Sequence, residues 1–143
     1  MRKSWDEYFL EIAEVVATRS TCERLNVGCV IVKDRRIIST GFNGSIHNHD
    51  HCEDVGCLIN DEGRCIRTIH AEENAVLHAD RQSLKEATAY ITHESCEKCA
   101  KTLAQSGVRR IVFRHRYPNK WNEHFLKDIE VVYCPSINNS ITK

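Results

Sequence analysis

A mixed β-sheet of five strands, covered by helices on both faces, is the fold this sequence predicts. Three observations carry it: an amphipathic helical repeat near the start, a hairpin directly after it, and three later strand segments separated by helical ones. The first helix is expected from about Ser4 to Arg19. Trp5, Phe9, Ile12, Ala13 and Val16 recur there at helical spacing, with Asp6, Glu7, Glu11 and Glu14 between them. Val27-Gly28-Cys29-Val30-Ile31-Val32 is a buried-strand run, and Asp34-Arg35-Arg36 turns it back into Ile37-Ile38-Ser39-Thr40. A stretch rich in Gly, Asn, His and Asp then runs from Gly41 to Arg67, too long for an idle connection. The helical pattern resumes from His70 to His78. The alternation in Ala87-Thr88-Ala89-Tyr90-Ile91-Thr92 predicts a strand, and Cys96 to Ser106 a helix with Gly107 as its C-terminal cap. A strand around Ile111-Val112-Phe113, a short helix from Asn122 to Lys127 and a last strand from Ile129 to Tyr133 complete the order α-β-β-α-β-α-β-α-β. Strands separated by helices after an opening hairpin imply a sheet with both parallel and antiparallel pairs.

The 143 residues, with 41% hydrophobic, fit one domain over 1–143 whose core needs no disulfide staples. Twenty Lys and Arg against twenty Asp and Glu give a formal charge of zero. That balance argues against a nucleic-acid or membrane-surface partner, yet leaves room for a small anionic ligand. No run approaches the roughly 18 apolar residues of a membrane span, and the first seven residues lack the apolar core of a signal peptide, so a cytoplasmic address is expected. Eight cysteines and eight histidines are the unusual part of the composition. In a reducing compartment such residues bind metal or do chemistry more often than they form disulfides.

Two short motifs stand at the starts of two predicted helices: His70-Ala71-Glu72 and Cys96-Glu97-Lys98-Cys99. A helix N-terminus carries partial positive charge and free N–H groups, which stabilise thiolates. Thiolates three positions apart lie on one side of a turn, and His70 brings the ligand count to three. Three protein ligands and an open fourth position describe catalytic zinc, whereas structural zinc is closed by four. Glu72, two residues from His70, is placed to take a proton from a water that the metal acidifies and to deliver protons to a ring nitrogen and a departing amine. Cys-x-x-Cys alone also fits a redox pair or half of a zinc knuckle, and His-Ala-Glu alone arises by chance. Together, at two helix starts, the motifs resemble those of zinc nucleobase deaminases, which have Pro where this chain has Ser95. Serine is a favoured N-cap, so the helix is expected to start there unharmed.

Over nearly its whole length the chain resembles the deoxycytidylate deaminases of bacteria and phages. The resemblance rests on Ser4-Trp5-Asp6-Glu7-Tyr8-Phe9, Arg19-Ser20-Thr21-Cys22, Val27 to Val32, Thr40-Gly41-Phe42-Asn43-Gly44-Ser45, His51-Cys52, Gly56-Cys57, Cys65-x-Arg67-Thr68-Ile69-His70-Ala71-Glu72 and Thr92-His93-x-x-Cys96-x-x-Cys99. It implies a cytidine-deaminase-like three-layer α/β/α sandwich and hydrolysis of dCMP to dUMP and ammonia, with zinc as cofactor. It also implies a homohexamer switched on by dCTP with Mg²⁺ and off by dTTP, the segment Gly41, Phe42, Asn43, Gly44 and Ser45 resembling the effector loop. By the same resemblance Asn43 contacts the substrate sugar and the Ala71 N–H the ring carbonyl. Asn43 between glycines also fits an ordinary tight turn.

Arg24 and Asn26, just before the strand at Val27, are candidates for the 5′-phosphate, and Tyr117 and His115 for the wall beside the base. A lone exposed Arg is more often solvated, and an aromatic at a strand end is about as often core. Cys22, Cys52, Cys57 and Cys65 surround the long loop and are candidate ligands of a second, structural zinc, with His47, His49 and His51 nearby; buried or free thiols are the alternative. Ile46 to Asp50 depart from the family's loop. Cys29 and Cys134 read as small core hydrophobes. Two other readings remain: a tRNA adenosine deaminase, which would need a basic surface, and a zinc-stabilised binding module, which would have no use for Glu72. A riboflavin-pathway deaminase would bring a reductase domain for which 143 residues leave no room.

Overall fold

The computed structural model describes residues 2–136, in which helices and strands run in the order α1 (Trp5–Ala17), β1 (Gly28–Lys33), β2 (Arg36–Phe42), β3 (Gly44–Ser45), α2 (Cys52–Val55), β4 (Thr68–Ile69), α3 (Ala71–Leu77) and α4 (Arg81–Leu84). They continue as β5 (Thr88–His93), α5 (Glu97–Ser106), β6 (Arg110–His115), α6 (Asn122–Phe125) and β7 (Glu130–Tyr133). The main sheet has the order β2-β1-β5-β6-β7. β1 pairs antiparallel with β2 and β5, while β5, β6 and β7 are parallel. The parallel half follows from α5 and α6, which return the chain to the same end before each next strand.

Alternation along the strands decides which layer each side chain joins. Val30, Val32, Tyr90 and Val112 face one way and pack with Phe9, Leu10 and Ala13 of α1. Cys29, Ile31, Ala89, Ile91 and Ile111 face the other way, against Ala71 and Ala75 of α3 and Ala100 and Leu103 of α5. The result is the predicted mixed five-stranded α/β/α sandwich, with Cys29 fully buried and Cys134 partly buried against the α1 layer.

The predicted α1 shortens to a helix capped by Ser4, whose hydroxyl accepts from the Glu7 N–H at 3.1 Å. The hairpin turn places Asp34 and Arg35 at φ 52° and 62°, the paired left-handed geometry that matches strand twist. Gly107, at φ 96°, caps α5 as its position suggested. Four elements escaped the sequence pattern: β3, β4, α2 and α4 are two to four residues long, too short for any periodicity to develop. One glycine sets the position of a helix. A Cβ on Gly41 would stand 2.4 Å from both the Ala71 oxygen and the Ala75 nitrogen, so α3 lies directly on the backbone of β2. Ser39 Oγ donates to the Ala75 carbonyl at 2.6 Å and Asn74 Nδ2 to the Phe42 carbonyl at 2.8 Å, which fixes the rotation of α3.

Ion pairs lock α1 to the opposite face. Arg114 of β6 is 1% exposed and donates to both oxygens of Glu7, at 3.0 and 2.8 Å, and to the more exposed Glu14 at 3.2 Å. Arg110 grips Asp6 through two 2.8 Å hydrogen bonds, and the Tyr90 hydroxyl adds a third. The guanidinium beside each carboxyl holds Asp6 and Glu7 below their ordinary pKa values. Such groups stabilise the fold above the ordinary carboxylate range, and the contribution disappears as pH falls through their folded pKa values. Glu7→Ala leaves a buried cation and should cost about 3–5 kcal/mol at neutral pH, against less than about 1 kcal/mol for Glu14→Ala. Urea denaturation at about pH 7 and at successively lower pH below the ordinary carboxylate range checks both the ranking and its narrowing in acid.

Candidate active site and metal centre

His70, Glu72, Cys96 and Cys99 gather at one end of the sheet. That end receives the C-termini of β2, β5 and β6, the N-terminus of β1 and the first turns of α3 and α5. His70 occupies the N-cap position of α3 and Cys96 that of α5. The cap of α5 is therefore the Cys96 thiol, which accepts from the Cys99 N–H at 3.5 Å; Ser95 does not fill that position, contrary to the sequence expectation. The sulfur takes the place because a metal-binding thiolate and a helix cap both need an acceptor aimed at the free N–H groups.

His70 Nδ1 lies 3.2 Å from Cys99 Sγ and 3.5 Å from Cys96 Sγ, and the three donor atoms all fall within 4.8 Å of one another. A tetrahedral zinc with ordinary Zn–N and Zn–S lengths would separate such donors by roughly 3.5–3.8 Å, so the triad fits that ion. Cys99 is fully buried, Cys96 partly so and His70 exposed, so the triad reaches from the interior to the surface. The hydrogen bond from Cys99, then His70, holds the Cys96 thiol down to about 3. That same bond and burial push Cys99 upward. Cys96 also raises the pKa of His70. The lowered Cys96 marks a thiolate-favouring site, and a metal held there would compete with the protons on Cys99 and His70. Beside the triad Glu72 is 5% exposed; burial raises its pKa, and the Ser95 hydroxyl acts in the opposite direction.

Other predicted residues fall around this centre with varied engagement. Ala71 is buried in the first turn of α3. Asn43 is 7% exposed, its Oδ1 accepting from Val27 N–H at 2.9 Å and its Nδ2 donating to the Leu25 carbonyl at 2.6 Å. Its amide thus holds the 25–27 loop from the end of β2, and a tight turn between glycines is not what it serves. Gly41 and Phe42 belong to β2 and Gly44 and Ser45 to β3, so the expected effector loop is largely strand. Arg24 and Asn26 are exposed on the loop that Asn43 holds, and Arg24 reaches the Gly63 carbonyl at 3.2 Å. His115 is exposed at the end of β6, its ring 4.9 Å from that of His93; Tyr117 is 56% exposed, so it is not core.

The sequence reading missed three supports. Glu73 accepts from the His70 N–H at 3.2 Å and pairs with Lys98 at 3.6 Å, joining the two site helices; the His-x-x-Glu capping-box spacing was the available signal. Asn122 donates to the Ser95 carbonyl at 2.7 Å, and Glu94 accepts from the Tyr117 N–H at 3.1 Å. Nothing in the local sequence announces those two bonds.

A second group is distinct from the first. Cys52, Cys57 and Cys65 have their sulfurs within 4.8 Å of one another, with Cys52 and Cys65 3.6 Å apart. Burial pushes Cys52 up to about 12, while backbone and side-chain donors bring Cys65 down to about 7 against its own burial. Cys22 lies outside the triad but close enough to Cys57 to help raise it, after burial and Cys65. His51 Nδ1 is buried with no hydrogen-bond partner among the described residues, whereas His47 and His49 are exposed.

A three-layer α/β/α domain with a His-Cys-Cys metal centre and a buried carboxylate has the architecture of a hydrolytic zinc enzyme. The family model for the cytidine and deoxycytidylate deaminase zinc-binding region matches residues 3–115. The chain is 43% identical over 118 residues to ComE operon protein 2 of Bacillus subtilis, covering 81% of this chain and 62% of that protein. It is 42% identical over 123 residues to the deoxycytidylate deaminase of Mycobacterium phage D29, covering 78% and 95%. The dCMP deaminase of cyanophage S-TIM5, solved with dCMP and dUMP, superposes with a TM-score of 0.80 at 27% identity, covering 94% of this chain and 99% of that one. The chain spans less than two thirds of the Bacillus subtilis relative's length, and 39% of the yeast deoxycytidylate deaminase from Saccharomyces cerevisiae that it also matches. It belongs to the cytidine and deoxycytidylate deaminase family.

Proposed function

We propose that the chain hydrolyses the 4-amino group of dCMP, releasing dUMP and ammonia. The observation that carries this reading is the convergence of His70, Cys96 and Cys99 beside a buried carboxylate, Glu72, at the end of the sheet. His70, Cys96 and Cys99 would hold zinc, whose Lewis acidity would make a water nucleophilic near neutral pH. Glu72 takes one proton of that water and delivers it to the ring nitrogen, then passes the proton of the added hydroxyl to the amine, which leaves as ammonia as the 4-carbonyl forms. Burial of Glu72 raises its proton affinity, which strengthens the carboxylate as the base that accepts the proton of the water. The Ala71 N–H, at the positive end of α3, faces the ring carbonyl. Asn43 borders the sugar and holds the 25–27 loop, where Arg24 and Asn26 meet the phosphate; His115 and Tyr117 line the far side. The address is cytoplasmic, where the thiols stay reduced, with no membrane or nucleic-acid partner.

Ammonia release from dCMP, cytidine, deoxycytidine and adenosine, assayed side by side, tests the substrate. dCMP should be preferred over the unphosphorylated compounds, and turnover of adenosine alone would refute the reading. Glu72→Ala should keep its metal and lose at least about 10²–10⁴-fold in turnover.

A second zinc at Cys52, Cys57 and Cys65, closed by Cys22, is part of the proposal. Four thiolate ligands would make it structural, and α2 ties it to the substrate loop, because Glu53 N–H bonds the Thr21 carbonyl and Thr21 N–H the Asn43 carbonyl, both at 3.2 Å. Metal analysis should give two zinc per chain, one after Cys96→Ala and one after Cys52→Ala; a single zinc in the unmodified protein would remove the second site.

A homohexamer regulated at the Gly41–Ser45 segment completes the reading. dCMP saturation should be sigmoidal alone, hyperbolic with dCTP and Mg²⁺, and weakened by dTTP. Coupling of about 1–3 kcal/mol would appear as a shift of roughly 5- to 150-fold in half-saturation. Three superimposable hyperbolas would show that regulation is absent.

A further inference from the structure

Ser95 stands where zinc nucleobase deaminases have Pro, immediately before the first cysteine of the metal motif. It is 3% exposed, and its hydroxyl is buried with no hydrogen-bond partner among the described residues. Its backbone is held from two sides. Asn122 Nδ2 donates to the Ser95 carbonyl at 2.7 Å, and the neighbouring Glu94 N–H donates to the His115 carbonyl at 2.9 Å. An unpartnered buried hydroxyl costs stability unless an acceptor is at hand. His70 Nδ1 lies 3.5 Å from Cys96 Sγ, so the two helix starts bring Ser95 and the Glu72 carboxyl, itself 5% exposed, into the same buried region, where the Ser95 hydroxyl opposes the rise that burial imposes on Glu72. Proline at this position would offer neither the hydroxyl nor the hydrogen bond.

We propose that Ser95 is a positioning residue for Glu72: its hydroxyl donates to one carboxylate oxygen and leaves the other turned toward the reacting atoms. A carboxylate that must accept a proton and return it at a second atom gains from a fixed donor at its rear oxygen, because reorientation at the moment of reaction is avoided. The pinned backbone makes Ser95 such a donor. Asn122 and Glu94 are then supports of the proton shuttle, although neither belongs to the metal motifs. This inference rests on the assignment of Glu72 as the shuttle.

The test uses Ser95→Ala, Ser95→Thr and Ser95→Pro in the full chain. It reads kcat and KM for dCMP together with zinc per chain and thermal midpoint. Ser95→Ala should lower kcat roughly tenfold, the order expected for one hydrogen bond to a charged group, with KM and zinc content unchanged. Ser95→Thr, which keeps the hydroxyl, should recover most of the rate, and Ser95→Pro should behave as Ser95→Ala despite restoring the commoner residue. An unchanged kcat in Ser95→Ala overturns the proposal, as does an equal loss in the Ala and Thr variants, a change confined to KM, or loss of zinc. Should the unmodified chain fail on dCMP, the substrate assignment falls, and the same variants are read on whichever compound of the panel is turned over.

Discussion

The direct contact of α3 with the backbone of β2 at Gly41 governs much of what lies above it. Any side chain there would collide with the first two turns of the helix, and the helix could not keep its start at the sheet end. With α3 seated, His70 and Glu72 are set by ordinary helical geometry, and α5 meets them because parallel β5 and β6 force its N-terminus to the same end. The Glu73–Lys98 pair and the shared metal donors then join two helices that local sequence would leave independent. A close-packed interface, more than any single polar contact, positions the site.

Burial then gives chemically similar groups different tasks. Cys96 at a helix start is pushed toward the thiolate by its hydrogen bonds, while the same bond and burial in the interior push its partner Cys99 toward the thiol. Glu72 and Glu7 are both buried carboxyls, yet they shift in opposite directions. Glu7 meets the two nitrogens of Arg114 and is held ionised, whereas Glu72, with no such paired guanidinium among the described residues, is pushed by burial toward its neutral form. The first locks a helix to the sheet; the second is suited to moving protons.

The long segment between β2 and α3 is organised by contacts too sparse to form a layer of its own. Asn43 holds the 25–27 loop, Thr21 links Asn43 to α2, and the Cys52, Cys57 and Cys65 sulfurs draw the remaining turns together. Apolar burial is slight there: Leu58, Ile59 and Ile66 are about half exposed. Such a segment takes its shape from hydrogen bonds and sulfur contacts, which suits a region bordering a ligand.

Period-2 and period-3.6 patterns, and two motifs at helix starts, are properties of consecutive residues. The sequence by itself therefore determined the five strands, the main helices, the hairpin, and the set His70, Glu72, Cys96 and Cys99. The tertiary structure decided what depends on residues far apart in the chain. It turned Asn43 into a loop anchor, gave Gly41 to helix packing, made Cys96 the cap of α5 in preference to Ser95, and separated Cys52, Cys57 and Cys65 from the five other cysteines. Asn122 reaches the Ser95 carbonyl across 27 positions, and Arg114 reaches Glu7 across 107. No local pattern encodes such pairs, because their geometry exists only once the sheet has brought the segments together.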